Sequence, residues 1–431
     1  MSKEIENLWK SEDYWAIWFA MAIFTGIISG LITMVPKVKK WAANPVDAFP
    51  GDLGLWIVAL GIGIGILLTI GVIIMKEDWK KFLGGYLVVY ALAVISYVAA
   101  GQTTVKAWGL GYAIWGLSFG LLIANTVGTP KWLLKGARSE MFIKTGLVLL
   151  GGEILFSEIL KLGLPGLIVA WFVTPTVIIF MWFFGTKWLN MASKRLTIII
   201  AAATSVCGVS AAIAVSAACR AKKSELTLGV GMTMIFTVLM MIAMPPLCKA
   251  VGMLPAVAGG WLGGTIDSTG AVVAAGAFLG PVAEKVAAVV KMIQNVLIGV
   301  VAFLVAVYWI TKVDRDPNAP RPSLMEIWYR FPKFILGFAA ASLIFSFMLM
   351  PAMGHEEVSG ILKLSKIFRG WFFCLAFVAI GLESNFKELA SHVVGGKPII
   401  LYIVGQSFNL ILTLLMSWIA FGGILFPVFS G

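Results

Sequence analysis

Asp267 stands in Gly263-Gly264-Thr265-Ile266-Asp267-Ser268-Thr269-Gly270-Ala271, a carboxylate among hydroxyls and glycines with apolar residues on both sides. An ionised side chain at the centre of a bilayer costs about 2.5–3.5 kcal/mol on insertion scales, so one retained there reads as an ion or proton site. The competing reading is a structural joint in which neighbouring hydroxyls satisfy the carboxylate. Lys291, followed by Gln294 and Asn295, puts a cation and two amides on neighbouring helical faces of an apolar run. It can counter Asp267, attract an anionic solute, or snorkel to the interface. Glu153 and Glu383 each lie about one turn inside a helix end, where they read as ion-coupling groups or as interfacial charges. In Thr204-Ser205-Val206-Cys207-Gly208-Val209-Ser210-Ala211, small hydroxyl residues around Gly208 weaken a helix and free its backbone polar groups. Such backbone survives at membrane depth only inside protein or beside a wet cavity. The bland alternative there is close helix packing through small residues.

The composition requires a membrane around these residues. The chain has 431 residues, 60% hydrophobic and 13% charged, whereas a soluble domain carries about 25% charge to cover its exterior. Apolar stretches follow one another from end to end, at 15–35, 52–75, 82–100, 109–128, 141–160, 163–185, 197–218, 226–248, 262–280, 285–310, 334–353, 371–386 and 399–426. Each approaches the roughly 20 residues that cross a hydrocarbon core. A single-anchor receptor and a soluble enzyme with a tail are excluded. The net charge of +12 comes from basic clusters at the ends of apolar runs, which is positive-inside patterning and not a nucleic-acid footprint. Cys207, Cys219, Cys248 and Cys374 lack Cys-x-x-Cys spacing and read as small core residues. Tryptophans near the ends of the runs, such as Trp15, Trp79, Trp261, Trp309 and Trp371, read as interface anchors.

His355 and His392 have no partners at ligand spacing. No Walker, dinucleotide or nucleophile-elbow signature is present, so the expectation is a protein that is not an enzyme and has no cofactor or metal. Without a nucleotide-binding domain, solute movement must draw on an ion or substrate gradient.

Lys76, Lys80, Lys81, Lys131, Lys135, Arg138, Lys187, Lys194 and Arg195 fall in the loops after the second, fourth and sixth runs. Only Lys37, Lys39, Lys40, Lys106 and Lys161 fall in those after the first, third and fifth. This bias puts the N-terminus in the cytoplasm of a bacterial inner-membrane protein. Both ends of 197–218 are basic, so that run either crosses against the rule or returns to the side it left. The expected organisation is an interfacial stub at 1–14, a transmembrane region at 15–310 that includes the broken segments 197–218 and 262–280, a cytoplasmic linker at 311–333, and a C-terminal transmembrane region at 334–431. Residues 151–159 and 381–389 share the string G-x-E-x-x-F-x-E-[IL], which suggests internal repeats of the kind that place a transporter's substrate at their junction.

Ser205-Val206-Cys207-Gly208-Val209-Ser210-Ala211, Gly263-Gly264-Thr265 with Val272-Val273-Ala274-Ala275-Gly276, Lys291-Met292 and Ala379-Ile380-Gly381-Leu382 resemble signatures of the YeiH-type sulfate exporter family of bacterial membrane proteins. Order and spacing agree from about residue 141 to the end. The chain departs from that family between Thr265 and Val272, where a His-Glu pair and a Gln are replaced by Asp267, Ser268 and Ala271. It departs again at Gln294, where an Arg is usual. The family is similar in architecture to the cation/proton antiporter and anion transporter superfamily, which implies two broken helices crossing near the midplane and a core domain moving against a scaffold.

The resulting expectation is an all-α polytopic membrane protein with about 11–13 transmembrane or re-entrant helices, internal repeats, and two broken helices at the bilayer midplane. Its site is formed by 204–212 and 263–271. Ser205, Cys207, Gly208, Ser210, Gly264, Thr265, Ser268, Thr269, Gly270, Lys291 and Gln294 are the candidate residues for a small anion, and Asp267, Glu153 and Glu383 for H+ or Na+ coupling. The expected activity is secondary transport of a sulfate- or sulfonate-like anion, and the alternatives are a Na+/H+ or other cation antiporter and a channel or sensor. The expected partners are an anionic solute and the lipid bilayer, without nucleic acid, and a homodimer is the oligomer considered.

Overall fold

The computed structural model describes residues 8–107, 111–154, 156–313, 323–391 and 396–429. In chain order the main helices are α1 (Glu12–Ile28), α2 (Leu53–Ile74), α3 (Trp79–Gly101), α4 (Tyr112–Thr126), α5 (Ser139–Glu153), α6 (Phe156–Phe183), α7 (Lys194–Ser205), α8 (Gly208–Ala218), α9 (Lys223–Ala250), α10 (Pro255–Thr265), α11 (Thr269–Leu279), α12 (Pro281–Tyr308), α13 (Phe334–Leu343), α14 (His355–Glu383), α15 (Phe386–Ser391) and α16 (Lys397–Phe421). No strand occurs among the described residues beyond one isolated bridge, Trp41 to Gln102. Among the described residues, eight helical segments are long and apolar enough to cross a membrane. Their outward faces are bare hydrocarbon: on α2, Leu55, Val58, Ile62, Ile66, Ile70 and Ile73 are all exposed at helical spacing. Lipid can cover such a stripe and water cannot.

The chain forms two compact units, each drawn from separate stretches of sequence. Residues Met1–Glu158 and Lys333–Asn385 make the first, and Ile159–Pro332 and Phe386–Gly431 the second. The two copies of the G-x-E-x-x-F string fall where the chain leaves the first unit. Glu153 ends α5 and Phe156 starts α6, while Glu383 ends α14 and Phe386 starts α15. The apolar run 141–160 is therefore not one span. Helix α5 stops because Ile154 turns extended (ψ 106°), its carbonyl accepts from Ser342 Oγ at 2.5 Å, and Ser346 Oγ takes the Phe156 N–H at 2.9 Å.

In the first unit, α14 is buried all round from Trp371 to Ala379 and packs on α3, α4 and α5. A Cβ on Gly120 would lie 2.4 Å from the Val378 carbonyl oxygen, so α4 and α14 meet backbone to backbone. In the second unit α6, α9, α12 and α16 surround α7, α8, α10 and α11. Gly259 and Gly263 lay α10 on α12, with a Cβ on either only 2.7 Å from a carbonyl of Ala283 or Ala287. Gly260 and Gly264 turn the neighbouring face of α10 toward Phe421 and Thr413 of α16.

Several expectations are refined. The first apolar helix begins at Glu12, capped by Ser11, and residues 1–7 of the stub lie outside the described residues. So do 314–322 of the linker, with Arg315 and Arg321, and also Trp108 and His392. Trp15, Trp261, Trp309 and Trp371 are buried in protein and are not interface anchors. Trp261 and Trp371 instead donate to the carbonyls of Leu410 and Pro36. The four cysteines are free and buried.

Candidate functional site

Helices α7 and α8, with 12 and 11 residues, and α10 and α11, with 11 each, are half-length. At 1.5 Å per residue each covers about half of a 30 Å hydrocarbon core. Val206 (φ −123°, ψ −76°) and Cys207 (φ −155°, ψ 111°) interrupt the first pair. Ile266 (ψ 130°) and Ser268 (ψ 135°) interrupt the second. The two interruptions touch: the Gly208 N–H donates to the Asp267 carbonyl at 2.6 Å. Only glycine fits at 208, since a Cβ would lie 2.3 Å from Thr233 Cγ2 and 3.5 Å from Asp267 Cβ.

Interrupting a helix orphans carbonyls that must find donors when buried. Side chains of α12 and α16 supply them here. Gln294 Nε2 donates to the Ser205 carbonyl at 2.8 Å and the Gly264 carbonyl at 3.1 Å, so one amide holds the ends of both α7 and α10. Thr174 Oγ1 gives Ser205 a second donor at 3.0 Å. Lys291 Nζ donates to the Val206 carbonyl at 2.7 Å and to Gln294 Oε1 at 2.6 Å. From α16, Asn409 Nδ2 reaches the Thr204 carbonyl at 3.1 Å, and Gln406 Nε2 reaches the Thr265 carbonyl at 3.2 Å. Tyr402 donates its hydroxyl to Asp267 Oδ2 at 2.5 Å while its ring stacks on Phe236 with centroids 4.4 Å apart. Asn295 Nδ2 donates to Thr269 Oγ1 at 3.0 Å.

The second unit thus brings Ser205, Cys207, Gly208, Gly264, Thr265, Asp267, Ser268, Thr269, Gly270, Lys291 and Gln294 to one pair of interruptions. Asp267 and Lys291 are almost wholly buried, at 2% and 1% exposure, and they interact electrostatically. Ser210 lies on the exposed side of α8, and the Ser205 hydroxyl is spent on the Ala201 carbonyl. Neither α8 nor α11 is capped by a side chain.

Glu153 and Glu383 belong to the first unit. Arg369 grips Glu153 through both oxygens, at 2.7 and 3.1 Å, with both side chains about nine-tenths buried. Ser139 donates to Glu383 at 2.7 Å, in a cavity of about 350 Å³ that Arg138, Glu12 and Glu77 also line. Arg138 is ion-paired with both Glu12 and Glu77.

Thr174, Tyr402, Gln406 and Asn409 escaped the sequence reading, which took 399–426 as a plain span. The signal was present: Tyr402, Gln406, Asn409, Thr413 and Ser417 recur every three or four residues, and such a polar stripe on an apolar helix must face protein.

Apolar outer faces around buried charges and amides define an all-α polytopic membrane protein. Within that class the chain belongs to the family described as conserved hypothetical protein 698, whose profile matches residues 84–402. It is 51% identical over 399 residues to the UPF0324 membrane protein RB9488 of Rhodopirellula baltica, covering 91% of this chain and 73% of that one. A UPF0324 membrane protein of Nitratidesulfovibrio vulgaris is 54% identical over 397 residues, covering 91% and 67%. The UPF0324 membrane protein NE0724 of Nitrosomonas europaea is 28% identical over 485 residues, covering 97% of each. No solved structure matches the chain.

Proposed function

We propose that this protein is a secondary active transporter of a small sulfate- or sulfonate-like anion, working by alternating access with H+ or Na+ as the coupling ion at Asp267. The observation that carries this reading is the 2.6 Å bond from the Gly208 N–H to the Asp267 carbonyl. It joins two interrupted helices beside a buried carboxylate and a buried ammonium. Paired, interrupted helices with substrate and ion held at the breaks are a recurrent transporter architecture. The resemblance of 205–211, 263–265 and 272–276 to YeiH-type exporters supports the architecture of an anion exporter, while the departures at Asp267, Ser268, Ala271 and Gln294 fall at the site itself, so the substrate rests on the counterflow test. The Lys and Arg bias supports a bacterial inner-membrane protein with a cytoplasmic N-terminus.

Charge arithmetic supplies the coupling. With Asp267 ionised and Lys291 protonated the pair is neutral, and an arriving anion meets no net attraction. A cation on Asp267 leaves the ammonium uncompensated, and the anion is then drawn in. The amides that open α8 and α11, aligned with the positive ends of their helices, would hold it, with the hydroxyls of Ser268 and Thr269 beside them.

The test is counterflow of labelled sulfate into proteoliposomes, with Asp267→Asn in parallel. Uptake competed by unlabelled sulfate is expected, and the Asn variant should keep exchange while losing ion-driven accumulation. No counterflow of sulfate, sulfite or a small carboxylate by folded protein would sink the anion reading. Na+/H+ exchange in the parent that vanishes in the variant would assign cation antiport instead. Flux above about 10⁵ per second would assign a channel, because domain motions take microseconds to milliseconds or longer.

A further inference from the structure

Three buried side-chain oxygens around Asp267 have no hydrogen-bond partner among the described residues: Thr265 Oγ1, Gln406 Oε1 and Asn295 Oδ1. Their residues are 1%, 4% and 2% exposed. A buried polar atom without a partner loses its hydration and gains nothing in return, so a cluster of such atoms calls for an occupant.

The orientation of the Gln406 amide follows from its neighbours. Its nitrogen lies 3.2 Å from the Thr265 carbonyl and 2.9 Å from Met240 Sδ, both acceptors. Turning the amide over would set oxygen against oxygen at Thr265, so Oε1 must face away. Gln406 lies one turn beyond Tyr402 on the same face of α16, and Tyr402 holds Asp267 Oδ2. Asn295, one turn beyond Lys291 on α12, spends its nitrogen on Thr269. Thr265 and Thr269 flank Asp267 two residues before and after.

Two of the three are amide oxygens, which only accept, and the set includes a carboxylate, so the occupant is not an anion. A proton can satisfy one of them. A hard cation satisfies several at once, and oxygen donors of this kind suit it. The charge of the occupant follows from the only carboxylate in the set and from Lys291, a buried cation that holds the α7–α8 interruption and interacts electrostatically with Asp267. A divalent ion would leave the buried site with excess positive charge, whereas a monovalent one leaves the single positive charge that the anion step uses.

We infer that the α10–α11 interruption binds one dehydrated Na+ ion through Asp267, Thr265 Oγ1, Gln406 Oε1 and Asn295 Oδ1. The transporter reading is needed only to call this a coupling ion; binding itself requires no transport.

The experiment is thermal unfolding of the full chain in detergent at fixed pH and ionic strength, with Na+ exchanged for K+ or choline and no anion substrate added. Na+ should raise the unfolding midpoint saturably, because a ligand that binds only the folded state stabilises it by mass action, while K+ and choline should not. Thr265→Val and Gln406→Leu should raise the half-saturating Na+ concentration about tenfold or more, and Thr265→Ser should preserve it. Thr265→Val is nearly isosteric, so loss of the Na+ response in a protein with an unchanged midpoint in choline reports the ligand and not the fold. Equal midpoints in all three salts, an equal response to K+, or an undiminished Na+ response in both Thr265→Val and Gln406→Leu would overturn the site. Na+ binding without any solute flux would leave this site standing and remove the transport reading. Counterflow by a protein whose unfolding midpoint ignores Na+ would remove this site and leave the transport reading standing.

Discussion

Gln294 is the side chain on which both interrupted helices depend, and replacing it with leucine gives a worked test of the architecture. In Gln294→Leu the bulk is nearly kept and four hydrogen bonds vanish, the weakest a 3.4 Å contact from Gln294 Nε2 to Thr174 Oγ1. The Gly264 carbonyl loses its donor at 3.1 Å, the Lys291 ammonium loses an acceptor at 2.6 Å, and the Ser205 carbonyl loses one of two donors. Ser205 retains Thr174 at 3.0 Å and Lys291 retains the Val206 carbonyl at 2.7 Å, so one carbonyl is orphaned and the buried ammonium loses one of its two acceptors. At about 1–3 kcal/mol for the orphaned carbonyl and about 1.5–3 kcal/mol for a lost hydrogen bond to a charged group, the loss should be about 3–5 kcal/mol. Thr174→Val alone should cost only about 1 kcal/mol, because Gln294 still serves Ser205. Combining the two orphans Ser205 as well, so the double variant should lose about 1–2 kcal/mol more than the sum of the singles. The assay is SDS-titrated unfolding in mixed micelles followed by tryptophan fluorescence. A loss below about 0.5 kcal/mol for Gln294→Leu, or strict additivity with Thr174→Val, would refute the claim that this amide closes both helix ends.

Two further substitutions test the packing, one in each unit. Gly208→Ala puts a methyl 2.3 Å from Thr233 Cγ2 and should cost about 1–3 kcal/mol as overpacking. Thr233→Ser, which removes that methyl, should restore most of the loss in the same unfolding assay, and failure to restore it would place the strain elsewhere. Arg369→Met leaves Glu153 buried without the guanidinium that grips it and should cost about 3–5 kcal/mol. Adding Glu153→Gln should recover much of that, and a double variant no more stable than Arg369→Met would show that the pair does not act as a unit.

How much of this was legible beforehand differs between features and depends on the range of the interaction behind each. The interruptions were legible because a run of small hydroxyl and glycine residues weakens a helix wherever it sits, and Cys207–Gly208 and Ile266–Ser268 do so locally. Asp267, Lys291 and Gln294 were legible because buried polarity in an apolar run is expensive and must serve a purpose. The end of α5 at Glu153 was not, since the hydroxyls of Ser342 and Ser346 that stop it lie almost two hundred residues downstream.

By itself, the sequence determined the class of protein, the places where two helices break, and the charged and amide side chains held beside them. Only the tertiary structure decided which groups meet. It joined Gly208 to Asp267, gave Asp267 a tyrosine 135 residues away, and gave the end of α7 an amide from 205 residues away. It also divided the chain into two discontinuous units, leaving Asp267 in one and Glu153 and Glu383 in the other. The physical reason is that a polar stripe on an apolar helix states that a partner is required, because leaving it bare is costly. The identity of that partner depends on how helices distant in sequence pack, and here that packing is fixed by glycines such as Gly259 and Gly263 that let α10 lie against α12 at backbone distance.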